Sequence, residues 1–153
     1  MDAKLLSPFM DACLEVLPQL GIQNVTKGNL SLKEKLFATM NVTSIVGLSK
    51  DLWGNIAYSM SEDTAKKIAS IMMMGIPVET FDTIAKSAIS ELSNMLTARA
   101  SVYFEGMGMS VQISPPTLII GDNVTIMVSQ VRTFAIEINT EVGLIELNIG
   151  IEV

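Results

Sequence analysis

The 153-residue chain contains no histidine. That excludes Ser-His-Asp and Cys-His catalysis, histidine phosphotransfer and the usual histidine-bearing zinc sites. Its single cysteine, Cys13, leaves no internal disulfide and no Cys-x-x-Cys motif. Cys13 lies within an amphipathic stretch and is expected there as inert packing rather than as a reactive thiol. Charge is scarce: 17% of residues, with 16 acids against 10 bases, a net charge of −6 and a pI near 4.5. An acidic chain without a basic cluster is not expected to bind nucleic acid. There is no Gly-x-Gly-x-x-Gly and no Gly-Lys-Ser/Thr; Gly106-Met107-Gly108-Met109 lacks the third glycine and reads as the end of a helix. No apolar run reaches the roughly 18 residues of a membrane span. The richest, Ile68 to Val78, is interrupted by Ser70, Gly75 and Pro77. The opening Met-Asp-Ala-Lys puts an acid where a secretory signal carries bases. The expectation is a soluble cytoplasmic protein with no membrane partner.

Apolar residues, by contrast, make up 49% of the chain, and the mean hydropathy is +0.45. This excludes a disordered chain and supplies a sizeable core. The length suits one domain, 1–153. Residues 2–17 carry Leu5, Leu6, Phe9, Met10, Cys13, Leu14 and Leu17 at helical spacing, closed by Pro18 and Gly21. Residues 22–32 read as a loop or an edge. Strands are expected over Lys33–Thr39 and Val42–Leu48 around a turn at Met40-Asn41, and over Leu52–Met60. Ser61-Glu62-Asp63-Thr64 starts a helix running to about Met74, with a serine cap and acids in the first turn. A long helix follows over 81–104, ending at Gly106 and Gly108. After Pro115-Pro116 come strands Thr117–Ile120, Val124–Val128, Val131–Asn139 and Leu144–Val153, the last with Ile145, Leu147, Ile149, Ile151 and Val153 on one face. Strands, then helices, then strands suggest an α+β domain with a helix-covered antiparallel sheet.

The eleven methionines, Met72-Met73-Met74 and Met107/Met109 among them, suit either an adaptable binding surface or flexible core filling, with core filling the expectation. For Trp53 packing is expected over ligand stacking. On a wheel of about 100° per residue, Ile84, Ala85, Ala88, Ile89, Leu92, Met95, Leu96 and Val102 form the buried arc of the long helix. Glu91 lies at the edge of that arc and Asn94 about 60° further round, with Ser87, Ala98 and Ser101 in the same sector. Lys86, Ser93 and Thr97 point elsewhere, to solvent. The small flanking side chains would let another protein come close. A carboxamide donates and accepts, so it can hold a water in a chosen direction; a carboxylate can pair with a cation on a docked partner. Such a pair suits positioning of a water for attack on a group carried by another molecule, as a carboxamide does in Ras-type enzymes. Spacing alone does not separate this from an ordinary helix surface.

Ser87-x-x-x-Glu91-x-x-Asn94 resembles the signature of the CheC/CheX/FliY phosphatases of bacterial chemotaxis. The stretch from Phe81-Asp82 through Ser87-Ala88-Ile89-Ser90-Glu91-Leu92-Ser93-Asn94-Met95 to Gly108 and Ile113-Ser114-Pro115-Pro116-Thr117 is most similar to the CheX branch. The opening helix and the segment from Val46-Gly47-Leu48 to Tyr58-Ser59-Met60-Ser61 resemble it more loosely. The resemblance implies an α+β fold: an antiparallel or mixed sheet packed by two long helices plus a shorter one, with a pseudo-twofold repeat. It implies dephosphorylation of the aspartyl phosphate on a CheY-like receiver domain, a phosphorylated response regulator. Asn94 would orient the attacking water and Glu91 would contact the receiver's active-site lysine. No cofactor of the chain's own is implied, since the receiver holds Mg²⁺. A homodimer joined at sheet edges is also implied. The first helix echoes the signature as Asp11-x-x-x-Glu15-x-x-Pro18, but proline cannot orient a water, so one site per chain is expected and Glu15 is read as an ordinary surface residue. The alternative is a non-catalytic CheX-like module that docks a receiver or dimerises.

Overall fold

The computed structural model describes residues 3–153, so the expected helix onset at Asp2 lies outside the described residues. A 3₁₀ turn at Ala3–Leu5 leads into α1 (Ser7–Gln19). Pro8 sits in the first turn of α1, where its missing N–H costs no helical bond. Then come β1 (Thr26–Lys33), β2 (Phe37–Ala38), β3 (Val42–Lys50), β4 (Trp53–Met60), α2 (Glu62–Met72) and α3 (Thr83–Gly106). The chain closes with β5 (Val111–Ile113), β6 (Thr117–Ile120), β7 (Thr125–Ile126), β8 (Thr133–Thr140) and β9 (Gly143–Glu152). Seven strands form one antiparallel sheet in the order β1-β8-β9-β4-β3-β5, with β6 also on β3. The three α-helices cover one face, as the α+β expectation required.

Alternation along the strands decides what meets the helices. Val42, Val46 and Leu48 of β3, Ile56, Tyr58 and Met60 of β4, and Ile145, Leu147 and Ile149 of β9 all join the main core. From the helices come Phe9 and Leu17, Ile68, and Ile89, Leu92, Leu96 and Phe104. Phe9 meets Phe104 edge-on, with ring centroids 5.3 Å apart. Cys13 is fully buried in this core, and burial pushes its thiol up to about 12.

The opposite face has its own small core: Phe37, Ala57, Ile126 and Val128, with Ile45, Ile119 and Val124 against it. This corrects the expected hairpin at Met40-Asn41. Only Lys33, at the end of β1, and Phe37–Ala38 are extended within 33–39. β2 pairs with β7 in a separate two-stranded sheet, because Phe37 drops onto this second face. At the corner the Met40 N–H donates to Ser59 Oγ at 2.9 Å, and Asn41 takes the Gly121 N–H on its carbonyl at 3.0 Å. Of residues 22–32, read as a loop or an edge, those from Thr26 on belong to β1, an edge strand.

Trp53 is 62% exposed, against the packing expected of it. It opens β4 on the face opposite the helices, lining an open groove there with Asn55, Met127 and Gln130. Met74 is 96% exposed, since α2 ends at Met72 and the chain turns at Met74 with a positive φ of 61°; core filling holds for Met60 and, partly buried, for Met72, Met95 and Met109.

Candidate functional site

α3 carries the site, and its ends and rotation are fixed. Asp82 caps the N-terminus, its Oδ1 accepting the Ala85 N–H at 2.9 Å. At the other end Gly108, with φ +82°, lets the Met109 N–H turn back to the Phe104 carbonyl at 2.9 Å.

Rotation is set by two hydroxyl contacts to the sheet. Ser93 Oγ donates to the Ser90 carbonyl at 2.8 Å, so its 2.7 Å contact with Ser44 Oγ on β3 has Ser44 as donor. Thr97 Oγ1 likewise donates to the Ser93 carbonyl at 2.7 Å, so the Tyr58 phenol of β4 donates to Thr97 at 2.9 Å. Ser93 and Thr97 are therefore buried, not solvent-facing as expected. Their hydroxyls are satisfied across the interface, which removes the usual cost of burying them. Including them turns the buried arc, so Ile84 and Val102, assigned to it from the sequence, emerge at 60% and 51% exposure beside Glu91.

The stripe that faces outward bears Ser87, Glu91 and Asn94. Glu91 is exposed and Asn94 half-buried. Neither side chain has a hydrogen-bond or ion-pair partner among the described residues, so both are available to a visitor.

Across from them stands a wall formed where the strand beside β3 is interrupted. β6 pairs with β3 over Val42–Ile45 and β5 over Leu48–Lys50. Between them Pro115-Pro116 has no N–H to give the ladder, and the strand lifts off. Ser114 holds the break in place: its N–H donates to the Gly47 carbonyl at 2.9 Å, and its Oγ accepts the Gly47 N–H at 2.8 Å. An added Cβ at Gly47 would sit 3.0 Å from that Oγ. The helix stripe and the Ser114-Pro115-Pro116 wall enclose an open groove of about 650 Å³. Ser114, Ser90 and Lys86 were not picked out as site residues from the sequence; the signal for the wall was the proline pair itself.

The echo on α1 is differently placed. Glu15 accepts the Tyr103 hydroxyl and lies 3.8 Å from Arg99 Nε, both on α3. The bond to Glu15 raises the Tyr103 phenol above its usual value. Glu15 is thus a bridge between helices, not the ordinary surface residue expected, because α1 packs along α3. Asp11 accepts the Ser7 hydroxyl at 3.2 Å, and Pro18 is exposed. Among the described residues no three His, Cys, Asp or Glu side chains converge in a way that could hold a metal. None of the helices among them is long and apolar enough to cross a membrane.

A groove with an amide and a carboxylate free on one wall can position a water and a cation brought by another molecule. Comparisons with known proteins bear on which. The family described as "Chemotaxis phosphatase CheX" matches residues 42–139. The chain is 32% identical over 127 residues to the CheY-P phosphatase CheX of Thermotoga maritima, covering 82% of this chain and 81% of that protein. It superposes on a crystal structure of the chemotaxis protein CheX from Desulfovibrio desulfuricans with a TM-score of 0.87 at 26% identity, covering 97% of this chain and 99% of that one. It also superposes on the crystal structure of the CheX–CheY–BeF3–Mg²⁺ complex from Borrelia burgdorferi, with a TM-score of 0.82, 26% identity and 97% of each chain.

Proposed function

This chain belongs to the chemotaxis phosphatase CheX family, and from that premise we propose that it hydrolyses the aspartyl phosphate of a CheY-like receiver domain, ending the signal that phosphate carries. The observation that carries the reading is the Glu91/Asn94 pair, unpartnered among the described residues, on an open groove between α3 and the Ser114-Pro115-Pro116 wall.

In this reading α3 docks over the receiver's phosphorylated aspartate. Asn94 Oδ1 accepts one hydrogen of a water and turns its lone pair toward phosphorus. The water oxygen bonds to phosphorus, the bond to the aspartyl oxygen breaks, and the aspartate leaves as a carboxylate with inorganic phosphate as product. A carboxylate is a good leaving group, so catalysis is mostly positioning, which suits a site built on an unbonded amide and a carboxylate. Glu91 pairs with the receiver's active-site lysine and seats the helix. Mg²⁺ stays with the receiver. The protein works in the cytoplasm, where receivers are, as a homodimer joined at sheet edges.

The test is the lifetime of the aspartyl phosphate on receivers from the same genome, each alone, with the wild type and with Asn94→Ala. The expected result is faster decay with the wild type on one receiver, and a loss of about 100-fold or more in the variant. Asn94 is half-buried and unbonded, so the variant should fold normally. Receivers that bind the wild type but lose phosphate no faster would make the chain a docking module without turnover.

A further inference from the structure

The groove holds one acid, Glu91, and one cation, Lys86, and the expectation that Lys86 points away from the site does not hold: it lines the same groove. Measured from Lys86 around α3, at about 100° per residue, Ser90 lies near 40°, Asn94 near 80° and Glu91 near 140°. Asn94 therefore sits between the two charges in angle. Along the axis Glu91 is about 7.5 Å and Asn94 about 12 Å from Lys86. Lys86 is exposed and, like Lys27, Lys35, Lys50 and Lys67, has no acid partner among the described residues, but it alone of these lines the groove. Its neighbours one turn away on the stripe, Thr83 and Ser90, are small and uncharged. In a chain of net charge −6 the groove therefore presents one charge of each sign, about five residues apart on one helix.

We infer that Lys86 is a specificity-determining residue of the phosphatase reaction, pairing with a carboxylate on the receiver surface about two helical turns from the reacting phosphorus. The inference rests on the receiver-docking reading of the same groove. Two opposite charges fix the direction of docking: a receiver turned end for end meets like charge at both points, and one with a lysine where the carboxylate belongs meets it at Lys86. Its backbone lies about 12 Å along the axis from that of Asn94, and helical side chains lean toward the N-terminus, away from Asn94, so the ammonium does not reach the reacting atoms. Its contribution is made equally in the ground state and in the transition state, so it sets KM and leaves kcat alone.

The experiment measures dephosphorylation rates against receiver concentration for the wild type, Lys86→Glu and Lys86→Arg, at low and at raised salt, together with Kd for the unphosphorylated receiver. Lys86→Glu should raise KM and Kd about tenfold or more at low salt, with kcat within about twofold. The defect should shrink as salt screens it, and Lys86→Arg should stay within about threefold of the wild type. Unchanged KM and Kd in Lys86→Glu overturn the inference. A fall in kcat at unchanged KM also overturns it, since Lys86 would then act on the chemistry. If the wild type binds a receiver without accelerating hydrolysis, the catalytic reading fails while the Kd comparison still decides Lys86. If it binds none, both fall.

Discussion

Replacing Thr97 with valine preserves shape and removes one hydroxyl. Thr97 is fully buried, and the Tyr58 phenol that donates to it is 2% exposed. In Thr97→Val that phenol keeps its proton and loses its acceptor, so the cost is that of a buried donor left unpaired, about 1–3 kcal/mol. Helix propensity contributes little, since threonine and valine are nearly equal. Tyr58→Phe breaks the same bond from the other side, but Thr97 still donates to the Ser93 carbonyl. The loss there is one ordinary hydrogen bond, about 0.5–1.5 kcal/mol. The valine variant should therefore be the less stable by about 1 kcal/mol. The double variant, with neither polar group present, should lose clearly less than the two singles added together. For a chain of this size a loss of about 2 kcal/mol lowers Tm by roughly 4–8 °C. Urea unfolding followed by far-ultraviolet circular dichroism measures all three; Trp53 is too exposed to report on this core. If Thr97→Val costs no more than Tyr58→Phe, or if the singles simply add, the hydroxyls are not coupled and do not pin α3.

Three further outcomes are expected. Burial keeps the Cys13 thiol protonated in the fold up to about 12 from its ordinary 9.0, so between those values the unfolded chain binds fewer protons than the folded one and stability contributed by this group falls as pH rises. Native protein should resist thiol alkylation at pH 8 and react on unfolding; fast native labelling would contradict the burial. Pro18→Asn completes the Glu-x-x-Asn spacing on α1, yet should create no second site, because Glu15 is engaged by Tyr103 and Arg99; restored phosphatase activity in Asn94→Ala/Pro18→Asn would show that Glu15 is free to act. Glu91→Lys should raise the receiver Kd about tenfold by setting cation against cation, and an unchanged Kd in a titration would remove Glu91 from the contact.

Much of the molecule could be read from the residues. The periodic helix over 81–104, the Ser61 cap and the alternation in 144–153 each state their structure locally, and all three stand within a few residues. Spacing and a family signature single out Glu91 and Asn94, and neither has a hydrogen-bond or ion-pair partner among the described residues. What failed depended on partners distant in sequence. Ser93 and Thr97 look like solvent residues until Ser44 and Tyr58 arrive to satisfy them. Phe37 looks like part of a hairpin until Ile126 and Val128 supply a second core. Glu15 looks idle until α3 brings Tyr103. Val111–Ile113 is too short to announce itself as a strand, and only β3 makes it one. Lys86 could be placed on the helix but not on the groove, since the opposite wall comes from residues 114–116.

Both walls of the groove hang from the same short piece of β3. Ser44 holds α3 through Ser93, and three positions on, Gly47 holds the proline wall through Ser114. The slot is thus gauged by one strand rather than by two parts that must find each other. A receiver arriving at it meets a jaw already set to width, and little chain entropy is lost in closing around it. Encounter should accordingly show a single kinetic phase whose rate rises linearly with receiver concentration, with no plateau from a slow opening step.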